Sequence, residues 1–128
     1  MKQFCILYFF LFNYSNATAE QTIKFFVNSV PITIYKYENV RISSSLKCPK
    51  LDQGKFCEEL NFLNDLNNYK PIKELVDVQS FGAAVCNEKL DGKIVIATTQ
   101  SGDQNGFCKI KIDFYIELGT LGYYANKK

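Results

Sequence analysis

FGAAVCNEKLDGKIVIATTQSGDQNGFCKIKIDFYIEL, residues 81–118, is the stretch on which the fold turns. Ser80 stands before it as a residue suited to capping a helix over residues 81–90. Asp91-Gly92 stops that helix, with glycine available for a left-handed cap. Residues 93–100 (KIVIATTQ) are dense in β-branched side chains and form the clearest strand in the chain. Residues 101–106 (SGDQNG) are a polar turn, and residues 106–113 (GFCKIKID) return as a second strand. In that strand Cys108, Ile110 and Ile112 face one way and Lys109 and Lys111 the other. Phe114, Ile116 and Leu118 alternate into a last strand, after which Gly119 and Gly122 punctuate a tyrosine-ended tail. A helix followed by antiparallel strands predicts an α+β fold, with an antiparallel sheet packed against about two short helices.

The second helix lies upstream. Residues 56–69 (FCEELNFLNDLNNY) place Phe56, Leu60, Leu63 and either Leu66 or Asn67 at helical spacing. Glu58 and Glu59 occupy its first turn, where negative charge suits the dipole. Asn61, Asn64 and Asn68 make a side expected to face water, and Pro71 limits the element. Residues 72–79 (IKELVDVQ) fit a strand or a short helix. Earlier still, residues 22–30 (TIKFFVNSV) and 32–37 (ITIYKY) read as strands separated by Ser29-Val30-Pro31, with Pro31 suggesting an edge or a bend. Glu38-Asn39 is a turn, and Val40, Ile42 and Leu46 continue the alternation into a third, shorter strand. Residues 43–55 are a loop.

The N-terminus has a different grammar. Lys2 precedes an apolar run at residues 4–12 (FCILYFFLF), of signal-peptide length and too short to span a bilayer. Ala17-Thr18-Ala19 offers small residues at the positions a signal peptidase reads, which predicts cleavage before Glu20. The competing reading of the run is a buried N-terminal strand. On the first reading residues 1–19 are a leader and residues 20–128 a single secreted or periplasmic domain. No second long apolar run follows, so no stable membrane anchor is expected after the leader is removed.

Leader removal takes Cys5 away and leaves Cys48, Cys57, Cys86 and Cys108. An even count in a small exported domain predicts two disulfides, and four cysteines allow three connectivities. Cys48–Cys57 and Cys86–Cys108 are favoured because each pair flanks one local unit. Their loops would contribute about 2.5 and 3.5 kcal/mol in the chain-entropy picture. A four-thiolate zinc site is disfavoured, since the spacings lack close C-x-x-C pairs. No metal or other cofactor is expected.

The chain has no histidine, which removes Ser-His-Asp and Cys-His nucleophile pairs and a histidine base. Without the leader, 14 basic and 13 acidic side chains remain, so nucleic-acid binding through a positive field is not expected. Glu58 and Glu59 are adjacent on a helix and do not face one another, so they make no acid–base pair. Asp103 and Asp91 stand in turns that lack the alternating acids of a calcium loop.

Ala83-Ala84-Val85-Cys86, Leu90-Asp91-Gly92-Lys93, Ser101-Gly102, and Gly106-Phe107-Cys108 with Ile110 together resemble a small bacterial exported domain. That family is domain of unknown function 333, sometimes labelled a hemolysin. The resemblance spans residues 80–124 and implies a periplasmic or outer-surface location with no assigned activity. Phe81-Gly82 stands where the family has Asn-Pro, Asp113-Phe114-Tyr115 where it has Asp-Gly-Ser, and the later cysteine pair and Trp are missing.

Tyrosine without tryptophan suits a protein-binding face, and Tyr115, Tyr123 and Tyr124 are the candidates, with Tyr123-Tyr124 the expected exposed aromatic patch. No catalytic residue stands out. The function expected is an exported, non-enzymatic binding protein (an inhibitor, adaptor or surface factor) whose partner is another protein. A small secreted hydrolase using carboxylates is the first alternative, and a membrane-active, hemolysin-like factor the second.

Overall fold

A computed structural model describes residues 20–69 and 78–126. The leader and most of the ambiguous stretch 72–79 lie outside them. Six strands form: β1 (Gln21–Val27), β2 (Val30–Tyr37), β3 (Ile42–Ser44), β4 (Lys93–Thr98), β5 (Gln104–Lys111) and β6 (Phe114–Glu117). They are two three-stranded antiparallel meanders, β1-β2-β3 and β4-β5-β6. Pairing of β1 with β4 at Phe26–Thr98 and of β3 with β6 at Ser44–Ile116 joins them into a closed barrel.

The expectation of an open sheet packed against helices is therefore corrected, and with it the α+β class. Both closing seams join strands about 70 residues apart in the chain, and no local pattern encodes them. What does carry the barrel is burial on both strand faces. Gly106, Phe107 and Cys108 are buried in succession, as are Tyr115 and Ile116. One face of each strand lines the barrel interior, where Phe25, Val27, Ile34, Ala97, Phe107 and Tyr115 converge. Phe25 meets Phe107 edge-to-face with ring centroids 5.1 Å apart.

The other face of β5 and β6 is covered by helices. Helix α1 (Val78–Ala84) continues as a wider π turn over Val85–Lys89. Helix α2 (Leu118–Ala125) packs against α1 and against a 3-10 segment, Glu58–Asn68. Leu60, Leu63 and Leu66 are buried and spaced strictly by three, which stacks them on one edge of a three-residue turn. Asn61, Asn64 and Asn68 face solvent. The C-terminal tail expected from Gly119 and Gly122 is this helix α2. Gly119 does not break the chain there but lies in the first turn of α2, against the Glu117 carboxylate. A Cβ built on Gly82 of α1 would lie 1.9 Å from the Leu118 carbonyl oxygen and 3.2 Å from the Gly122 nitrogen, so the two helices touch backbone to backbone.

Three local expectations also shift. The first hairpin turns at Asn28 and Ser29, both with positive φ (49° and 69°), as a type I′ turn demands. Pro31 is then a paired position of β2, opposite Phe26. After the α1–π segment it is Asp91 that takes the left-handed conformation (φ 51°), leaving Gly92 a different duty. A bulge between Lys109 and Lys111 ends the alternation of β5, so Ile112 leaves the Cys108–Ile110 face and is 81% exposed.

Cys48 is bonded to Cys57 and Cys86 to Cys108, with Cα separations of 5.8 and 5.7 Å. The second bond ties the π turn to the outer face of β5. Gly92 runs across it, and a Cβ there would lie 2.4 Å from Cys108 Sγ and 3.0 Å from Cys86 Sγ. Disulfides of this kind belong to an oxidising environment, extracellular or periplasmic. Near the first bond, the buried Tyr37 hydroxyl donates to Glu20 (2.7 Å) and accepts from the Cys48 N–H (2.9 Å).

Candidate functional site

Strand parity puts Lys36, Ser43 and Glu117 on the same inward-facing side as Ile34 and Tyr115. All three stand at or near strand ends, so they rim one mouth of the barrel instead of filling it. The chain turns outward on either side of this rim. After β2 a 3-10 turn, Glu38–Val40, hands over to Arg41 in the left-handed conformation (φ 56°), an uncommon backbone for a side chain of that size. After β6 the chain passes directly into α2. The two corners are clamped together. Ser43 N–H donates to Thr120 Oγ1 at 3.0 Å, and the Tyr124 hydroxyl donates to the Val40 carbonyl at 2.6 Å.

Between the corners lies a cavity of about 460 Å³, lined by Lys36, Glu38, Arg41, Ser43, Glu117, Gly119, Thr120 and Tyr123. Its size falls within the ordinary range for small-ligand sites. Two cations and two carboxylates share its wall. Lys36 Nζ stands 3.7 Å from Glu38 Oε1. The Arg41 guanidinium lies over the Tyr123 ring, 4.9 Å from its centroid. Glu117 is the deepest of the charged groups. Burial pushes its carboxyl above the ordinary value of 4.5, while the hydrogen bond from Asn105 Nδ2 (3.0 Å to Oε2) and the field of Lys36 act in the opposite direction. Gly119 leaves room for that carboxylate, since a Cβ there would come within 3.2 Å of Oε1. A raised carboxyl inside a cavity beside fixed cations is a common mark of a working site.

The tyrosines named from sequence are distributed differently from the expected patch. Tyr115 is 8% exposed and packs in the barrel interior, with Lys109 Nζ 5.8 Å from its ring centroid. Tyr124 is 5% exposed, its hydroxyl spent on Val40, and its own pKa raised chiefly by burial. Tyr123 is half-buried on the cavity wall. The Tyr123-Tyr124 pair is thus a buried ring and a wall residue in edge-to-face contact (5.2 Å), because helix α2 turns one of them inward.

Sequence reasoning missed Lys36, Glu38, Arg41, Ser43, Glu117, Gly119 and Thr120. They come from two segments more than 70 residues apart, and only barrel closure unites them. The local signal was a charged residue at an inward position of a strand otherwise apolar on that side, Lys36 after Ile32 and Ile34 in β2 and Glu117 after Tyr115 in β6. Among the described residues, no cluster of three or more Asp, Glu, Cys or His is arranged to hold a metal ion. None of their helices is long and apolar enough to cross a membrane.

No protein-family model matches the chain, and no curated protein and no solved structure matches it either. Ala83-Ala84-Val85-Cys86 and Gly106-Phe107-Cys108, which carry the resemblance to domain of unknown function 333, are the helix and strand joined by the Cys86–Cys108 bond.

Proposed function

We propose that the chain, exported and released by cleavage before Glu20, is a non-enzymatic binding protein that takes the polar part of its partner into the cavity at the barrel mouth. The observation that carries this reading is the pre-ordered, charge-balanced cavity wall, clamped by Ser43–Thr120 and Tyr124–Val40. Barrel closure and the two hydrogen bonds across the corners leave that wall little conformational freedom to lose on binding. The test is capture by immobilised chain from the medium or envelope in which it is found, against a Lys36→Ala, Arg41→Ala, Glu117→Ala triple variant. A partner retained by the native chain and lost by the variant supports the reading. Equal retention by both removes the cavity from binding.

A second reading draws on the two carboxylates of the same wall. A carboxylate-dependent hydrolase would use Glu117, whose proton is held more tightly than usual, as the acid and Glu38 as its companion. Turnover of chromogenic glycosides or esters, abolished in Glu117→Gln, would establish it. Absence of turnover alongside intact ligand binding leaves the binding reading.

A further inference from the structure

Resting on the reading of the cavity as a binding site, we infer that its ligand is an uncharged saccharide, free or carried on a protein. The charges on the wall are the first reason. Lys36 and Arg41 balance Glu38 and Glu117, and each already has a partner close by: Lys36 with Glu38, Glu117 with Asn105 and the field of Lys36, Arg41 with the Tyr123 ring. An anion entering the cavity meets the Glu117 carboxylate, which Asn105 holds in place. A cation meets Lys36 and Arg41. Either ion must face a like charge, and beside the largely buried Glu117 that repulsion is weakly screened, whereas the Lys36–Glu38 pair is solvent-exposed (side chains 42% and 63%) and adds little to the cost.

A polyol avoids both costs. Each of its hydroxyls donates once and accepts twice, so it can give to the carboxylates and receive from the ammonium and guanidinium without bringing charge. Hydrogen bonds to ionised groups are about twice as strong as neutral ones, and here the ionised groups are supplied by the wall. Ser43 and Thr120 add hydroxyls at the floor. Tyr123 adds a half-buried aromatic side chain to the same wall, with the Arg41 guanidinium over its ring. A volume of about 460 Å³ accommodates one or two such rings.

The experiment is an amide-correlation NMR titration of the labelled chain with neutral methyl glycosides and neutral disaccharides. Acetate, methylammonium and glycine serve as charged probes of similar reach. The inference expects a glycoside to shift the amides of Lys36, Ser43, Glu117, Gly119, Thr120 and Tyr123. Glu117→Ala should weaken that binding by about tenfold or more. Glu117→Gln keeps an acceptor, guards against a folding artefact and should weaken it less, while Ile112→Ala, in the distant β5–β6 turn, should leave it unchanged. Shifts caused only by charged probes overturn the saccharide and keep the cavity as a site. No shift with any probe overturns both. If a glycoside binds, a glycoprotein bound equally before and after enzymatic deglycosylation shows that the protein-borne source is wrong, and loss of binding on deglycosylation shows that it is right.

Discussion

Gly82→Ala sets two physical effects against each other at one position. In an exposed helix the change stabilises by about 1 kcal/mol, because alanine has the better helix propensity. Here the added methyl would stand 1.9 Å from the carbonyl oxygen of Leu118 and 2.7 Å from its carbon. Ordinary contact begins near 3.4 Å, so α1 and α2 must part by about 1.5 Å. The atom in the way is main chain at the start of α2, with no rotamer to change. Leu118, Leu121 and Ala125, all buried on α2, would lose much of their dispersion contact, since a gap of about 1 Å already forfeits up to half of it. Overpacking of this severity costs about 3 kcal/mol. Net of the propensity gain, the variant should be destabilised by about 2 kcal/mol, a fall in Tm of about 8 °C for a domain of this size. Thermal and urea unfolding followed by circular dichroism, with both disulfides intact, measures it. A variant as stable as the native chain, or more so, would show that the helices do not meet at Gly82 and would refute the backbone-to-backbone packing.

Gly92→Ala should cost about 2 kcal/mol by pressing on the Cys86–Cys108 bond. The same change in a Cys86→Ala, Cys108→Ala background should cost far less, so a double-mutant cycle by urea unfolding should show strong coupling. Tyr37→Phe leaves the Cys48 N–H without its acceptor and should lower stability by about 2 kcal/mol in the same assay. Burial, more than its hydrogen bond to Glu20, lifts Tyr37 from 10.0 to about 12. Its neutral hydroxyl is favoured by the fold, so that contribution is full below pH 10 and is lost as pH climbs through about 12, which alkaline melts of native chain and variant should separate. Glu117 also has a raised pKa, so the native chain is most penalised at neutral pH and relieved below 4.5. Glu117→Gln should therefore melt higher than the native chain at pH 7, with the difference gone at pH 4. An equal difference at both values would remove desolvation as the cause.

Elements that depend on nearest neighbours were legible in the sequence. The strands at Lys93–Thr98 and Gln104–Lys111 follow from β-branched density and a polar turn. The Leu60, Leu63, Leu66 stripe located a helical element, though its unbroken spacing of three belongs to a 3-10 turn and not to 3.6 residues per turn. What stayed hidden depends on closure. Ser43 and Ser44 read as the start of a polar loop, yet both are buried, and Ser44 sits in the β3–β6 seam. Gly119 and Gly122 read as chain breakers because glycine's local preference is all a sequence displays. Inside α2, Gly119 lies against the Glu117 carboxylate, and the Gly122 nitrogen lies beside Gly82 of α1. The cavity inherits the same blindness. Lys36 and Glu117 each look like an ordinary surface charge until the barrel brings the two corners together.

Neither disulfide crosses a seam of the barrel. Cys48–Cys57 lies within the crossover that follows β3, and Cys86–Cys108 ties that crossover to β5. Strands β1, β2 and β3 are therefore attached to the rest by one peptide connection, by side-chain packing, by the two seams and by the Ser43–Thr120 and Tyr124–Val40 hydrogen bonds, with no disulfide of their own. The rim residues Lys36, Glu38, Arg41 and Ser43 stand on or beside these strands, so their side of the cavity is held by non-covalent contacts alone. Oxidation stiffens the half that carries Glu117 and Tyr123 while leaving the opposing lip of the cavity to be shut by weaker forces. Local opening of the barrel would therefore run along the two seams, where no covalent bond has to break.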